Sequence, residues 1–139
     1  MTFQIINPEE LGGRPKGWSN GMLGEAGGRV LFVAGQTASE VSGAMEVRGF
    51  VEQTTRALEK VVAVVREAGG QPEHIGRITL FVTDIEAYRS NLSSLGTAYR
   101  RVMGRHFPAM SLVGVASLVD PHAVVEIEAT AVLPLSIGG

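Results

Sequence analysis

The sequence predicts an α/β domain of the α+β kind, a single mixed β-sheet with two helices on one face. Three observations lead there. Two stretches repeat apolar residues at helical spacing, several short runs are rich in β-branched residues or alternate strictly, and glycines mark the joints. A chain of 139 residues accommodates one domain, 1–139, and 45% apolar against 19% charged residues is an ordinary globular balance.

Phe3 to Asn7 alternates weakly and is read as a first strand. Pro8 to Asn20 is polar and rich in Gly and Pro, an extended loop. Gly21 to Ala26 is a short strand, with Gly27-Gly28 expected to close a hairpin onto the apolar run Arg29 to Gln36. Phe50 to Ala68 is the strongest helical segment. Phe50, Thr54, Ala57, Leu58, Val61, Val65 and Ala68 form its inner stripe, while Glu52, Gln53, Arg56, Glu59, Lys60 and Arg66 are expected to face outward. Gly69-Gly70 supplies the left-handed residue that stops it.

Arg77 to Thr83 is the next strand. Asp84 is placed to cap a second helix, whose stripe runs through Ile85, Tyr88, Leu92, Leu95, Tyr99, Val102 and Met103 until Gly104. Ala109 to Val119 and Ala123 to Leu133 are two further strands, joined around Asp120-Pro121-His122. In the last, Val125, Ile127, Ala129 and Ala131 alternate with Glu126, Glu128 and Thr130. With both helices on one face, the other still carries apolar side chains that no remaining element can cover. Self-association into a closed symmetric ring is the expected remedy.

Lys plus Arg number 12 against 14 Asp plus Glu, a formal charge of −2. A nucleic-acid binder relies on a basic excess to neutralise phosphates, so nucleic acid is not an expected partner. Arg100, Arg101, Arg105 and His106 are the one basic concentration, and cations at a helix C-terminus account for it. No cysteine is present, which removes disulfides, thiolate nucleophiles and cysteine zinc sites. The start, Met1 to Ile6, lacks the basic and apolar regions of a signal peptide, and no run approaches the ~20 apolar residues of a membrane span. A soluble, cytoplasmic protein is expected, without membrane association.

His74, His106 and His122 fall in three separate connectors without metal-ligand spacing, so neither a metal nor a cofactor is implied. There is no GxSxG elbow, and the glycines at 24–28 lack the Gly-Lys-Ser/Thr ending of a phosphate loop. That leaves Glu126 and Glu128 on one strand face. A carboxylate there could orient a water if a subunit interface covers it; alternatively both are solvent-facing residues of a half-buried strand.

Five blocks carry a family resemblance: Leu31-Phe32-Val33-Ala34-Gly35-Gln36, Glu52-Gln53-Thr54 through Leu58-Glu59, Phe81-Val82-Thr83-Asp84, Phe107-Pro108-Ala109 and Val125-Glu126-Ile127-Glu128-Ala129. In this order they resemble the FVSGQ, EQT…LEN, VFxTD, FPAR and VEIEA blocks of the RidA (YjgF-type) family, over about residues 17–133. The resemblance implies a chorismate-mutase-like fold, a homotrimer with a cleft at each subunit interface, and hydrolysis of reactive enamines and imines to keto acids and ammonia. It implies that Glu126 is the catalytic residue that holds the attacking water. It also implies that the Gly35 backbone lines the cleft and that Trp18 takes the place of the family's GPYS aromatic.

Three positions depart from the pattern. Ala34 replaces a serine, Leu112 stands where cysteine is common, and Met110 replaces the FPAR arginine that clamps a substrate carboxylate. Methionine offers neither donor nor charge. Losing such a clamp in a covered cleft costs on the order of 2–5 kcal/mol. The expectation is therefore a RidA-like hydrolase of a small enamine, imine or related metabolite that is not an arginine-dependent 2-aminoacrylate deaminase. Arg14 or Lys16 is a candidate replacement cation from the loop. The alternative is a trimeric protein that binds a small, mostly neutral molecule without turnover, in a cleft made apolar by Met110, Leu112 and Ala34.

Overall fold

The computed structural model describes residues 3–135; residues 1–2 and 136–139 of the expected domain lie outside the description, as do the first two residues of the N-terminal stretch read above. The elements are β1 (Phe3–Ile6), β2 (Gly21–Gly24), β3 (Arg29–Gln36), α1 (Phe50–Glu67), β4 (Ile75–Val82), α2 (Ile85–Arg89), α3 (Leu92–Met103), β5 (Ala109–Gly114) and β6 (Val125–Leu133). Four strands form the mixed sheet in the order β3-β6-β4-β5. The β3–β6 and β6–β4 pairs are antiparallel and β4–β5 is parallel.

Alternation in β6 directs Val125, Ile127, Ala129, Ala131 and Leu133 into the core. There they meet Ala57, Leu58, Val61 and Val65 of α1, with Met103 of α3 joining the same cluster. Both long helices thus lie on one face, as the periodicity implies. Among the described residues no helix is long and apolar enough to cross a membrane. Helix α1 ends in a Schellman arrangement. Gly69 takes a φ of 92°, and the N–H groups of Gly69 and Gly70 donate to the carbonyls of Arg66 and Val65.

Several local expectations are corrected. Gly27-Gly28 does not close a β2–β3 hairpin, because β2 pairs antiparallel with β1 in a separate two-stranded ladder. The 25–28 turn instead passes the chain between sheets. The second helix is two. At Asn91 the backbone leaves helical geometry, and its amide Nδ2 donates to the Ala87 carbonyl at 2.7 Å. A short polar side chain thus competes with the helix ladder, while the apolar stripe continues across the break.

β5 stops at Gly114 rather than Val119, because its parallel partner β4 ends at Val82 and offers no further ladder. β4 itself begins two residues earlier than expected, at Ile75. Gln53 does not face outward. It is only 1% exposed, donating to the carbonyls of Val47 and His122 and accepting from the Val124 N–H. A saturated amide can sit in a core that would reject a bare one.

The β1–β2 ladder lies against one end of the sheet face away from the helices, with Phe3 beside Gly76 and Gly24 beside Val132, and the rest of that face stays open within the chain. Val30, Phe32 and Val113 are all exposed there, Phe32 at 79%.

Candidate functional site

The two halves of the expected site lie on opposite faces of the sheet. Cross-strand partners share a face, so register decides the matter. Met110 pairs with Ile78 and Leu112 with Leu80, both on the helix side. Glu126 pairs with Phe81, which is beside Val113 on the open side.

On the helix side a cleft of about 720 Å³ opens between α1, α3 and the β4–β5 edge. Met110 and Leu112 form part of its floor, and Trp18 stands at its margin, 46% exposed. Trp18 is positioned by its neighbour. The buried Ser19 hydroxyl donates to the Phe107 carbonyl at 2.7 Å, its N–H donates to the Pro108 carbonyl, and Ser19 bridges Ala109 in parallel register. The loop is thereby pinned to the start of β5. The Tyr99 ring stacks on Phe107 at 5.3 Å, and its hydroxyl donates to the His106 carbonyl at 2.5 Å. Burial pushes the Tyr99 phenol above its ordinary pKa, so it serves here as a neutral donor.

The cleft also contains Tyr88 and Tyr99, which the sequence assigns to a helix stripe, Arg100, which it assigns to the helix C-terminus, and Gly96, which it does not single out. Gly96 lies inside α3, where glycine costs roughly 1 kcal/mol relative to alanine. A Cβ there would stand 3.2 Å from Nη1 of Arg100, one turn later, so the guanidinium lies over the glycine. A glycine within a helix followed four residues later by arginine is the signal that could have found this. Lys16 also lines the cleft; Arg14 is exposed and is not part of its wall.

On the open face Glu126 stands over Gly35. A Cβ at Gly35 would come within 2.8 Å of the Glu126 Cδ, so only glycine leaves the carboxylate its place. Gly35 lies in a β-bulge, where Ala34 and Gly35 together oppose Glu128 between the Val33–Ala129 and Gln36–Ile127 pairs. Glu126 is half-buried and makes neither a hydrogen bond nor an ion pair among the described residues. Its lone pairs are free to accept from a water. Glu128 on the same strand is exposed.

His106 lies near neither carboxylate. Its Nε2 meets the Ile75 carbonyl at 2.6 Å and its ring stacks near Phe3. Burial lowers its pKa, partly opposed by that hydrogen bond and by Glu73. Among the described residues no three His, Asp or Glu side chains gather as a metal site.

A mixed sheet backed by two long helices, with an apolar cleft on one face and an unpaired glutamate on the other, defines a small α+β domain with a candidate ligand cleft. Residues 16–133 match the family described as endoribonuclease L-PSP, and the chain belongs to that RidA (YjgF-type) family. It is 33% identical over 102 residues to a RutC family protein of Aquifex aeolicus, spanning 73% of this chain and 79% of that one. It is 29% identical over 105 residues to the 2-iminobutanoate/2-iminopropanoate deaminase of Capra hircus, covering 75% and 73% of the two chains. Among solved structures, the Rid-family protein YyfB of Yersinia pestis superposes with a TM-score of 0.82 at 30% identity, covering 96% of this chain and 100% of that one. The YjgF product of E. coli gives 0.63 at 27% identity, covering 86% and 91%.

Proposed function

We propose that the protein is a cytoplasmic, cofactor-independent hydrolase of small enamines or imines, acting in clefts between the subunits of a homotrimer. The observation that carries this reading is the separation of the half-sites: Glu126 with Gly35 on one sheet face, Trp18 with Met110 and Leu112 on the other. One copy cannot bring both to a single ligand. A neighbour that covers the exposed Phe32 and Val30 can, since an uncovered apolar sheet face is a natural subunit contact.

In such a cleft the Glu126 carboxylate accepts a proton from a water, whose oxygen bonds to the imine carbon. An enamine must first be protonated at carbon to reach that imine. Glu126 returns the water's proton to the imine nitrogen, giving a neutral carbinolamine, which collapses to a carbonyl as its hydroxyl proton passes through Glu126 to the nitrogen and ammonia leaves. Gly35 keeps the carboxylate in place and Trp18 stacks on the apolar part of the ligand. The goat relative is named for iminobutanoate and iminopropanoate. Met110 cannot clamp a carboxylate at the family position, so arginine-dependent turnover of 2-aminoacrylate is not part of the reading.

The test is ammonia release from a panel of imines by wild type and Glu126→Ala; equal rates remove the mechanism. Co-expressing Glu126→Ala with Leu112→Trp, each inactive alone, should restore about a quarter of the clefts if the halves come from different subunits in a ring. A second reading, binding without turnover, is favoured by the apolar Met110 and Leu112 floor. Saturable Trp18 fluorescence changes with no ammonia release would support it instead.

A further inference from the structure

We propose that the helix-side cleft takes a carboxylate with an extended apolar body, its charge met by Arg100 and Lys16 instead of at Met110. The inference names the ligand class for the cleft in the hydrolase reading, and rests on that reading only for turnover. Three observations on different elements converge.

The first is size and surface. The cleft of one copy is about 720 Å³ before a neighbour covers it, and Leu58, Leu80, Leu92, Leu95 and Leu112 offer a ligand apolar walls. The second is charge. Among the described residues of one copy, the only charged residues lining the cleft are Lys16 and Arg100. The ion pairs of the described residues are Arg56–Glu59 and Arg89–Glu86, so both cleft cations are without a carboxylate partner. The third is position. The Arg100 guanidinium lies over Gly96, one turn earlier on α3 and itself part of the cleft lining.

Arg100 can offer paired N–H donors to a carboxylate, while Lys16 contributes a compact charge from the loop that also carries Trp18. The cleft thus pairs a cationic rim with an apolar interior. That combination selects an amphiphilic anion over both a small polar acid and a neutral hydrocarbon. The cation has moved from the sheet floor to the helix wall, leaving the floor to apolar contact.

Calorimetric titration with 5-phenylpentanoate and the matched alcohol 5-phenylpentan-1-ol tests this at low salt, with Trp18 fluorescence as a second readout. Wild type should bind the acid about tenfold more tightly than the alcohol, as expected for a partly exposed charge-assisted contact. Arg100→Gln with Lys16→Gln should erase that preference, weakening the acid about tenfold more than the alcohol; both positions are exposed, so the fold is not at stake. Equal binding of acid and alcohol by wild type, no binding of either, or a preference that survives the double substitution would each overturn the proposal. Glu126-dependent ammonia release from neutral imines without acid binding would sink this inference and keep the hydrolase. Acid binding without Glu126-dependent release from the imine of an aryl 2-keto acid would do the reverse.

Discussion

Replacing Gln53 by leucine should destabilise the protein by about 2–4 kcal/mol, although Gln53 touches no ligand and carries no charge. Its amide nitrogen donates to the Val47 carbonyl at 3.2 Å and the His122 carbonyl at 3.1 Å, and its oxygen accepts from the Val124 N–H at 2.9 Å. Leucine has nearly the same volume and removes all three bonds. The two carbonyls belong to loops that can turn toward water, so each costs about 1 kcal/mol. The Val124 N–H precedes the fully buried Val125 and has no such escape, which adds about 2 kcal/mol. Burying leucine instead of an amide returns a fraction of that.

Urea unfolding at fixed protein concentration measures the loss directly, and a thermal scan should show a fall of roughly 10 °C. Arg56→Gln, on the exposed side of α1 with only a 3.9 Å ion pair to Glu59, should stay within about 0.5 kcal/mol. Because Val124 leads into β6, Gln53→Leu should also lower Glu126-dependent activity. A loss below about 1 kcal/mol would refute the account, since it would mean that the Val124 N–H and the two loop carbonyls all find other partners.

His106 should make stability pH-dependent below neutrality. Burial favours its neutral form in the folded state, so its contribution is complete above the unfolded value of about 6.5 and is lost as pH falls through it toward the lower folded value. His106→Gln retains a donor for the Ile75 carbonyl, and should shrink the change in urea midpoint between about pH 7.5 and pH 5.5; an unchanged slope would count against His106 as the titrating group. Phe32→Glu places charge on the open sheet face at a side chain already 79% exposed, so the monomer should fold while the assembly dissociates. Light scattering reads the mass, and an intact oligomer would place the interface elsewhere.

The elements legible in the sequence were those whose pattern spans their whole length. The α1 stripe and the β6 alternation repeat often enough to name both the element and its buried face, and Gly69 announces the helix stop. Other features depend on a distant partner. β5 ends where β4 ends, β2 pairs backward with β1 instead of forward with β3, and Gln53 is buried because Val47, His122 and Val124 come to meet it. None of these partners is close in sequence to the residue it controls.

The site divides the same way. Block order alone marked the family, Glu126 and the loss of the arginine at Met110, because residue identity is a local fact. Period-two alternation likewise told, within one strand, which residues share a face. Whether Glu126 and Met110 face the same way is a relation between strands, and only the pairing of β4 with both β5 and β6 decided that they do not. The Arg100 guanidinium over Gly96 in the cleft wall is likewise a tertiary fact, set by how α3 packs beside the sheet.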